Sequence, residues 1–220
     1  MRYRVRGIEI RTENAAKPAS QAARAVREWL LAHNPVCNGL DYGCGKLRYA
    51  PILAQRCKRL TLIDSALQLE RRQRILGELT SVRCYISEHW PNARAMTPRE
   101  FLSDKSTYGL ALCANVISAI PSVRERCSLL RAILSGLSRG GHCLFVTQFR
   151  NSDFKRMASA KGSVKYLDGW ILKTSRGNYY YGILPPAKLE RLLRRQGYDI
   201  ETLWVSGQLA CVLARRAYGG

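Results

Sequence analysis

A short segment, Leu40-Asp41-Tyr42-Gly43-Cys44-Gly45, joins an acidic residue to two glycines one residue apart. Glycines at such a turn let backbone approach a ligand closely, where any side chain would obstruct it. A second acid, Asp64, followed by Ser65, stands at the end of the next apolar run. An acidic group about 20 residues past a glycine turn is where a nucleoside ribose is held by its hydroxyls. A third polar position, Asn115, closes the apolar run YGLALCA, with Ser118 just beyond it. None of these groups forms a Ser/His/Asp or Cys/His constellation. Of the three histidines, His142 begins an apolar run and His33 and His89 sit at element ends, so all three read as structural. The eight cysteines form no CxxC pair and no Cys/His cluster, and several lie in apolar runs. They read as reduced thiols packed like small hydrophobes, with no metal site expected.

Two nucleoside cofactors, NAD and S-adenosylmethionine (SAM), fit an acid, a glycine turn and a second acid. A dinucleotide turn needs Gly or Ala at the last position of GxGxxG, so that helix and strand pack closely under the pyrophosphate. Arg48 occupies that position. The pattern LDYGCG instead resembles motif I of the class I SAM-dependent methyltransferases, although Lys46-Leu47 stands where the commoner GxGxG form has its third glycine. The resemblance implies that Asp41 anchors the methionine end through its ammonium. It also implies that Gly43 and Gly45, with Tyr42 and Cys44, line the methionine and ribose portions. Asp64 would take the ribose hydroxyls beside Ser65, and Asn115 would face the same cofactor. In this family the end of the third strand, read here at Ser87-Glu88, approaches the adenine. Asn115 to Ile120 would be motif IV, facing the substrate, with Ser118 a candidate contact. DNA amino-methyltransferases carry [DNS]PP[YFW] there, whereas this chain has Asn-Val-Ile-Ser. Cytosine C5 enzymes need a Pro-Cys pair, and Cys113 has no proline beside it, so it reads as core. A weaker likeness, to methyltransferases associated with DNA phosphorothioation, rests on the fourth-strand segment and on Arg176-Gly177-Asn178-Tyr179. Methyl transfer to a good nucleophile needs no dedicated acid or base, because the sulfonium is already activated and alignment can supply about 7–11 kcal/mol.

The elements that must position these groups alternate between short apolar runs and amphipathic segments, as a parallel α/β sheet requires. A helix is expected from Ser20, as its cap, to His33, and another over about 48–56. The second strand is LTLID, a helix follows near 66–77, and SVRCYIS reads as the third strand. After the fourth strand, Ser122 and Glu125 form a capping box. The helix they open carries apolar residues from Cys127 to Leu137 and ends at Gly140-Gly141, before the fifth strand HCLFVTQF. A helix over Pro186–Gln196 precedes two apolar runs joined about Gly207, which should pair antiparallel. The fold expected is α/β: a doubly wound, mostly parallel seven-stranded sheet with a C-terminal antiparallel strand. Residues 1–34 are read as an N-terminal segment and helix packed on the core, and residues 35–220 as the methyltransferase domain. Residues 150–184 read as an insert holding a hairpin, YLDGWILKT–SRG–NYYYGIL.

The chain has 220 residues, enough for one domain with a sizeable core. No apolar run is long enough to span a membrane and no secretory signal is seen, so a cytoplasmic location and no membrane partner are expected. Lys and Arg number 36 against 16 Asp and Glu, a net charge of +20. The excess is spread over the whole chain. Such a field attracts polyanions, so nucleic acid or a ribonucleoprotein is the expected partner. The insert mixes Arg150, Lys155, Arg156, Lys161, Lys165, Lys173 and Arg176 with Tyr166, Trp170, Tyr179, Tyr180 and Tyr181. Basic groups contact phosphate and aromatics stack on unpaired bases. Arg150, Lys155, Arg156 and Tyr179 are therefore the candidate substrate contacts. The function expected is SAM-dependent methylation of nucleic acid or an associated substrate. A small-molecule methyltransferase and a non-catalytic module on the same fold are the alternatives.

Overall fold

The computed structural model describes residues 2–150, 157–175 and 177–216. Its centre is a seven-stranded sheet made of β3 (Val36–Tyr42), β4 (Cys57–Ile63), β7 (Ala93–Met96), β8 (Tyr108–Ala114), β9 (Leu137–Gln148), β13 (Tyr198–Ser206) and β14 (Leu209–Arg216). The spatial order is β13-β14-β9-β8-β3-β4-β7. Neighbours from β9 to β7 are parallel, and β14 pairs antiparallel with both β9 and β13. This is the doubly wound, mostly parallel sheet expected from the apolar runs.

Alternate residues of the strands face two helical layers. Leu40, Tyr42, Cys113, Phe145 and Val212 pack with α5 (Pro98–Ser103), α6 (Val123–Gly136) and α7 (Pro186–Arg195). Leu62, Leu112, Leu144 and Val146 pack with α1 (Arg24–Ala32), α2 (Ala50–Arg56) and α4 (Val82–His89).

Several expected elements differ. The α1 helix starts at Arg24 with Ala23 before it, because Ser20 is spent in a short 3₁₀ turn over Ala19–Gln21. The segment expected as one helix over 66–77 is a short α3 (Ala66–Glu70) followed by a hairpin of β5 (Gln73–Ile75) and β6 (Glu78–Thr80). SVRCYIS is the helix α4, not a strand. Ser81 caps it by accepting the Cys84 N–H at 3.1 Å, and Val82 and Ile86, four apart, are its buried face. The third strand is β7, so its end lies at Met96 and not at Ser87-Glu88. The α6 helix stops at Gly136, and Leu137 already belongs to β9. Gly140, at φ +71°, and Gly141 lie within that strand, where the pairing with β8 shifts register.

A second sheet has five strands. Its order is β1-β2-β12-β11-β10, from β1 (Arg2–Val5), β2 (Ile8–Arg11), β10 (Val164–Tyr166), β11 (Gly169–Thr174) and β12 (Gly177–Gly182). The expected hairpin is thus a three-stranded meander, broken at Leu167-Asp168, where Leu167 has φ +46°. It joins the N-terminal hairpin through parallel pairing of Asn178 with Ile10, and Asn178 Nδ2 donates to Glu9 O at 3.1 Å. Val5, Ile10, Ile171 and Tyr180 form its own small core. Arg126 of α6 pins this sheet to the rest. Its Nη1 and Nη2 donate to Asp168 at 2.6 and 2.9 Å, and its Nε donates to Ile120 O at 2.8 Å. Tyr180 and Lys188 complete the cluster around Asp168.

Candidate functional site

The C-terminal ends of β3, β4 and β8 open onto one cleft of about 890 Å³, its mouth included. Clefts outside the carboxyl ends of parallel strands are where open α/β sheets bind ligands. Asp41, Tyr42, Gly43, Cys44, Gly45, Asp64, Ser65 and Asn115 all line it. The turn after β3 is anchored by the Gly43 and Cys44 N–H groups, which donate to Ile63 O at 2.8 and 3.0 Å. Gly43 has φ +86° and Gly45 φ +56°, a region that favours glycine. A Cβ at Gly43 would lie 2.2 Å from Val116 Cγ2, so the position has no room for a side chain.

Asp64 is held in place from both sides. Its Oδ2 accepts the Gly45 N–H at 2.9 Å and its Oδ1 the Ser65 N–H at 2.7 Å. Burial pushes its carboxyl up, and these N–H groups pull it back. Ser65 also caps α3, accepting from Gln68 N at 3.3 Å. Asp41 is different: it is 3% exposed and accepts no hydrogen bond among the described residues. Burial, and then the nearby Asp64, raise its carboxyl to about 7. A buried carboxyl with no partner, facing a cleft, is suited to a cationic group of a ligand.

Asn115, at φ +61° just past the end of β8, is strapped to β9. Its N–H donates to Val146 O at 2.7 Å, and its Oδ1 accepts the Gln148 N–H at 3.2 Å. Ser118 is not on the cleft wall. It is 1% exposed, and its hydroxyl donates to Asn115 O at 3.3 Å, which supports the turn from behind. Arg150 is exposed, over the Phe149 ring at 5.0 Å, and does not line the cleft. Tyr179 is half-buried opposite Leu172 in the second sheet, also away from it. Lys155, Arg156 and Arg176 lie outside the described residues.

The sequence reading passes over the N-terminal strap. Tyr3, Thr12, Glu13, Ala16 and Lys17 line the cleft opposite the glycine turn. Ala16 Cβ would sit 3.4 Å from a Cβ on Gly45, and Pro18 forms a parallel bridge with Lys46. No local motif marks these residues, which reach the cleft through the pairing of β2 with β12. Gln68 is a second omission. Its Nε2 donates to Gly45 O at 2.6 Å, while its buried Oε1 has no partner. Its position four residues after Asp64, on a helix capped by Ser65, is the signal that could have found it. Arg48, noted only as breaking the dinucleotide pattern, lines the cleft too and donates to Gln21 O through Nε at 2.9 Å.

A model of the methyltransferase-domain family matches residues 12–203. YmfD of Escherichia coli K12, an uncharacterised protein, is 33% identical over 204 residues, 93% of this chain and 91% of its own. Among solved structures, Burkholderia thailandensis 1,6-didemethyltoxoflavin-N1-methyltransferase, with 1,6-didemethyltoxoflavin and S-adenosylhomocysteine bound, is similar with a TM-score of 0.64. It is 16% identical, over 90% of this chain and 80% of that one. The N-methyltransferase NodS of Bradyrhizobium japonicum WM9, in complex with S-adenosylhomocysteine, is similar with a TM-score of 0.59 at 18% identity, over 89% and 87% of the two chains. These matches lend no support to the likeness to phosphorothioation-associated enzymes. The family model, the sheet order and the glycine turn between two acids agree: the chain belongs to the methyltransferase-domain family and is a SAM-dependent methyltransferase.

Proposed function

We propose that the chain methylates a small-molecule acceptor. One observation carries this: the described aromatics of the insert are taken up in packing. Tyr180 is buried and bonded to Asp168, Tyr166 packs edge-on against it, and Tyr181 donates to Gln148 Oε1 at 2.6 Å. Tyr180 is buried, and Tyr166, Trp170, Tyr179 and Tyr181 are half-buried, which leaves little ring surface on which to stack a base. The sheet they build reaches the cleft through Tyr3 of β1, next to the N-terminal strap. The toxoflavin-precursor enzyme of the same fold, with its small acceptor bound, supports the reading by analogy.

The residues present fit SAM. When bound, it supplies a methyl group activated on a sulfonium. Asp41 would take its ammonium, and the Gly43–Gly45 turn would lie along it with no Cβ in the way. Asp64, whose oxygens keep lone pairs beyond those used by Gly45 and Ser65, would take the ribose hydroxyls. The strap and the turn would hold the sulfonium against the acceptor and exclude water, so these residues act by alignment.

A nucleic-acid acceptor is the second reading, favoured by the net charge of +20. Tritiated-methyl transfer from SAM into a host extract, fractionated by size, separates the two. Label in metabolites is expected, and label in DNA, RNA or protein overturns the proposal. Asp64→Ala should weaken SAM binding by roughly tenfold to a hundredfold, since it removes hydrogen bonds to a charged group. Unchanged affinity in calorimetry would place the ribose elsewhere.

A further inference from the structure

Beside Tyr3 the cleft adjoins a second cavity, walled by β1, the start of α6 and the turn from β10 to β11. Tyr3 lines both cavities. Arg4 and Glu125 line the second one, and both are exposed. Neither forms an ion pair among the described residues, whereas the neighbouring Arg2 lies 3.7 Å from Glu9 and 4.0 Å from Glu13. An unpaired guanidinium and an unpaired carboxylate on the walls of one cavity are complementary to a ligand that carries both charges.

Glu125 is also well placed relative to the cofactor. Its backbone N–H donates to Ser122 Oγ at 3.3 Å, which fixes it in the first turn of α6. Leu129, one turn on and on the same face, lines the cofactor cleft. Burial, together with the charge of Glu125, holds the Tyr3 phenol above its ordinary range. Tyr3 therefore remains a neutral hydrogen-bonding group on the wall that the two cavities share.

Resting on the small-molecule reading, we propose that this second cavity is the acceptor site and that the acceptor is a small amine that also bears an acidic group. The amine lies toward Glu125 and Tyr3, and the acid on Arg4. The bound ammonium first gives one proton to the Glu125 carboxylate, which frees the nitrogen lone pair and leaves Glu125 neutral. That lone pair forms the new bond to the methyl carbon as the carbon–sulfur bond breaks, its electron pair staying on sulfur. The product leaves as the methylammonium, and Glu125 releases its proton to solvent through the cavity mouth.

The test is calorimetric titration of the protein loaded with S-adenosylhomocysteine, using phosphoethanolamine and β-alanine as probes and ethanolamine and acetate as their single-charge halves. The zwitterions should bind more tightly than either half. Glu125→Gln should weaken the amine-bearing probes, and Arg4→Ala the acid-bearing ones, each by roughly tenfold to a hundredfold. Arg124→Ala, an exposed neighbour off the cavity wall, should change nothing. Zwitterions no tighter than their halves, or binding untouched by both substitutions, overturn the acceptor assignment. In the tritium assay, label in an uncharged metabolite overturns this assignment alone, and label in a macromolecule overturns the small-molecule reading beneath it. Failure to load S-adenosylhomocysteine overturns the cofactor geometry instead.

Discussion

At the scale of single residues, the cleft stores an electrostatic cost that a ligand can relieve. Asp41 titrates near 7, because burial and then Asp64 oppose its charge. A carboxyl raised above its unfolded value binds a proton more readily in the folded chain. The free protein therefore loses stability as pH rises from about 4 to about 7 and carries the full cost above that. Asp41→Asn should stabilise the free protein at pH 8 by about 1–3 kcal/mol and leave it unchanged near pH 4. The same substitution removes the partner for the ammonium, so S-adenosylhomocysteine affinity should fall roughly tenfold or more. In the native chain that affinity should itself decline below pH 7, a dependence absent from the variant. Melting curves at the two pH values and calorimetry across the range check both halves. An Asn variant less stable than the native chain at pH 8 would contradict the cost assigned to Asp41. This carboxyl was legible in the sequence, because its place before two spaced glycines is local. Glu13 was not, since it belongs to no spacing pattern and reaches the cleft by folding.

At the scale of elements, the second sheet and α6 are joined by buried charge. The Arg126 and Asp168 side chains are 4% and 6% exposed. Their pairing holds the Asp168 carboxyl down at about 2, against the opposing effect of burial. Removing Asp168 leaves Arg126 buried without a counter-charge, and removing Arg126 leaves Asp168 only the exposed Lys188 at 3.3 Å. Arg126→Met or Asp168→Ala should each cost about 3–5 kcal/mol, and Arg126→Met combined with Asp168→Leu should cost less than either alone. A depressed carboxyl contributes stability that is full above its unfolded value near 4. That contribution should be lost as pH falls toward 2. Denaturant unfolding of the single and double variants decides it. Additive losses would mean that the pair is not coupled. Arg126 and Asp168 are 42 residues apart, which is why no spacing argument links them. The misread third strand has a local cause. Val82, Tyr85 and Ile86 are strand-favouring types, and they outweighed the Ser81 cap and the four-residue spacing of Val82 and Ile86.

At the scale of the whole molecule, the doubly wound, mostly parallel character of the sheet was readable because most of its strands and crossovers are contiguous runs of apolar and amphipathic sequence, β7 being the exception. The second sheet was not, because it is assembled from the first residues of the chain and from an insert beyond residue 160. What the fold leaves unexplained is the charge of +20. Part of it is organised on α7, which packs on β13 and β14 at the far edge of the sheet from the cofactor cleft. Its outer side exposes Arg191, Arg194 and Arg195. Arg194 is paired with Glu190 at 2.9 Å, and the other two have no acidic partner among the described residues. A polyanion should therefore bind this helix without entering the cleft. For a single-stranded RNA oligonucleotide, log affinity should fall linearly with log salt, by about 0.7 for each phosphate neutralised. Replacing Arg191 and Arg195 together by Ala should lower that slope by about 1.4 and weaken binding to all sequences alike. S-adenosylhomocysteine affinity should be the same with and without RNA, and the RNA should gain no methyl label. Fluorescence anisotropy over a salt series measures the slope. RNA binding absent at low salt would leave the charge on α7 without a polyanion role. A slope unchanged in the double variant would place the contact elsewhere on the surface, and RNA that competes with S-adenosylhomocysteine would move it to the cleft and revive the nucleic-acid acceptor.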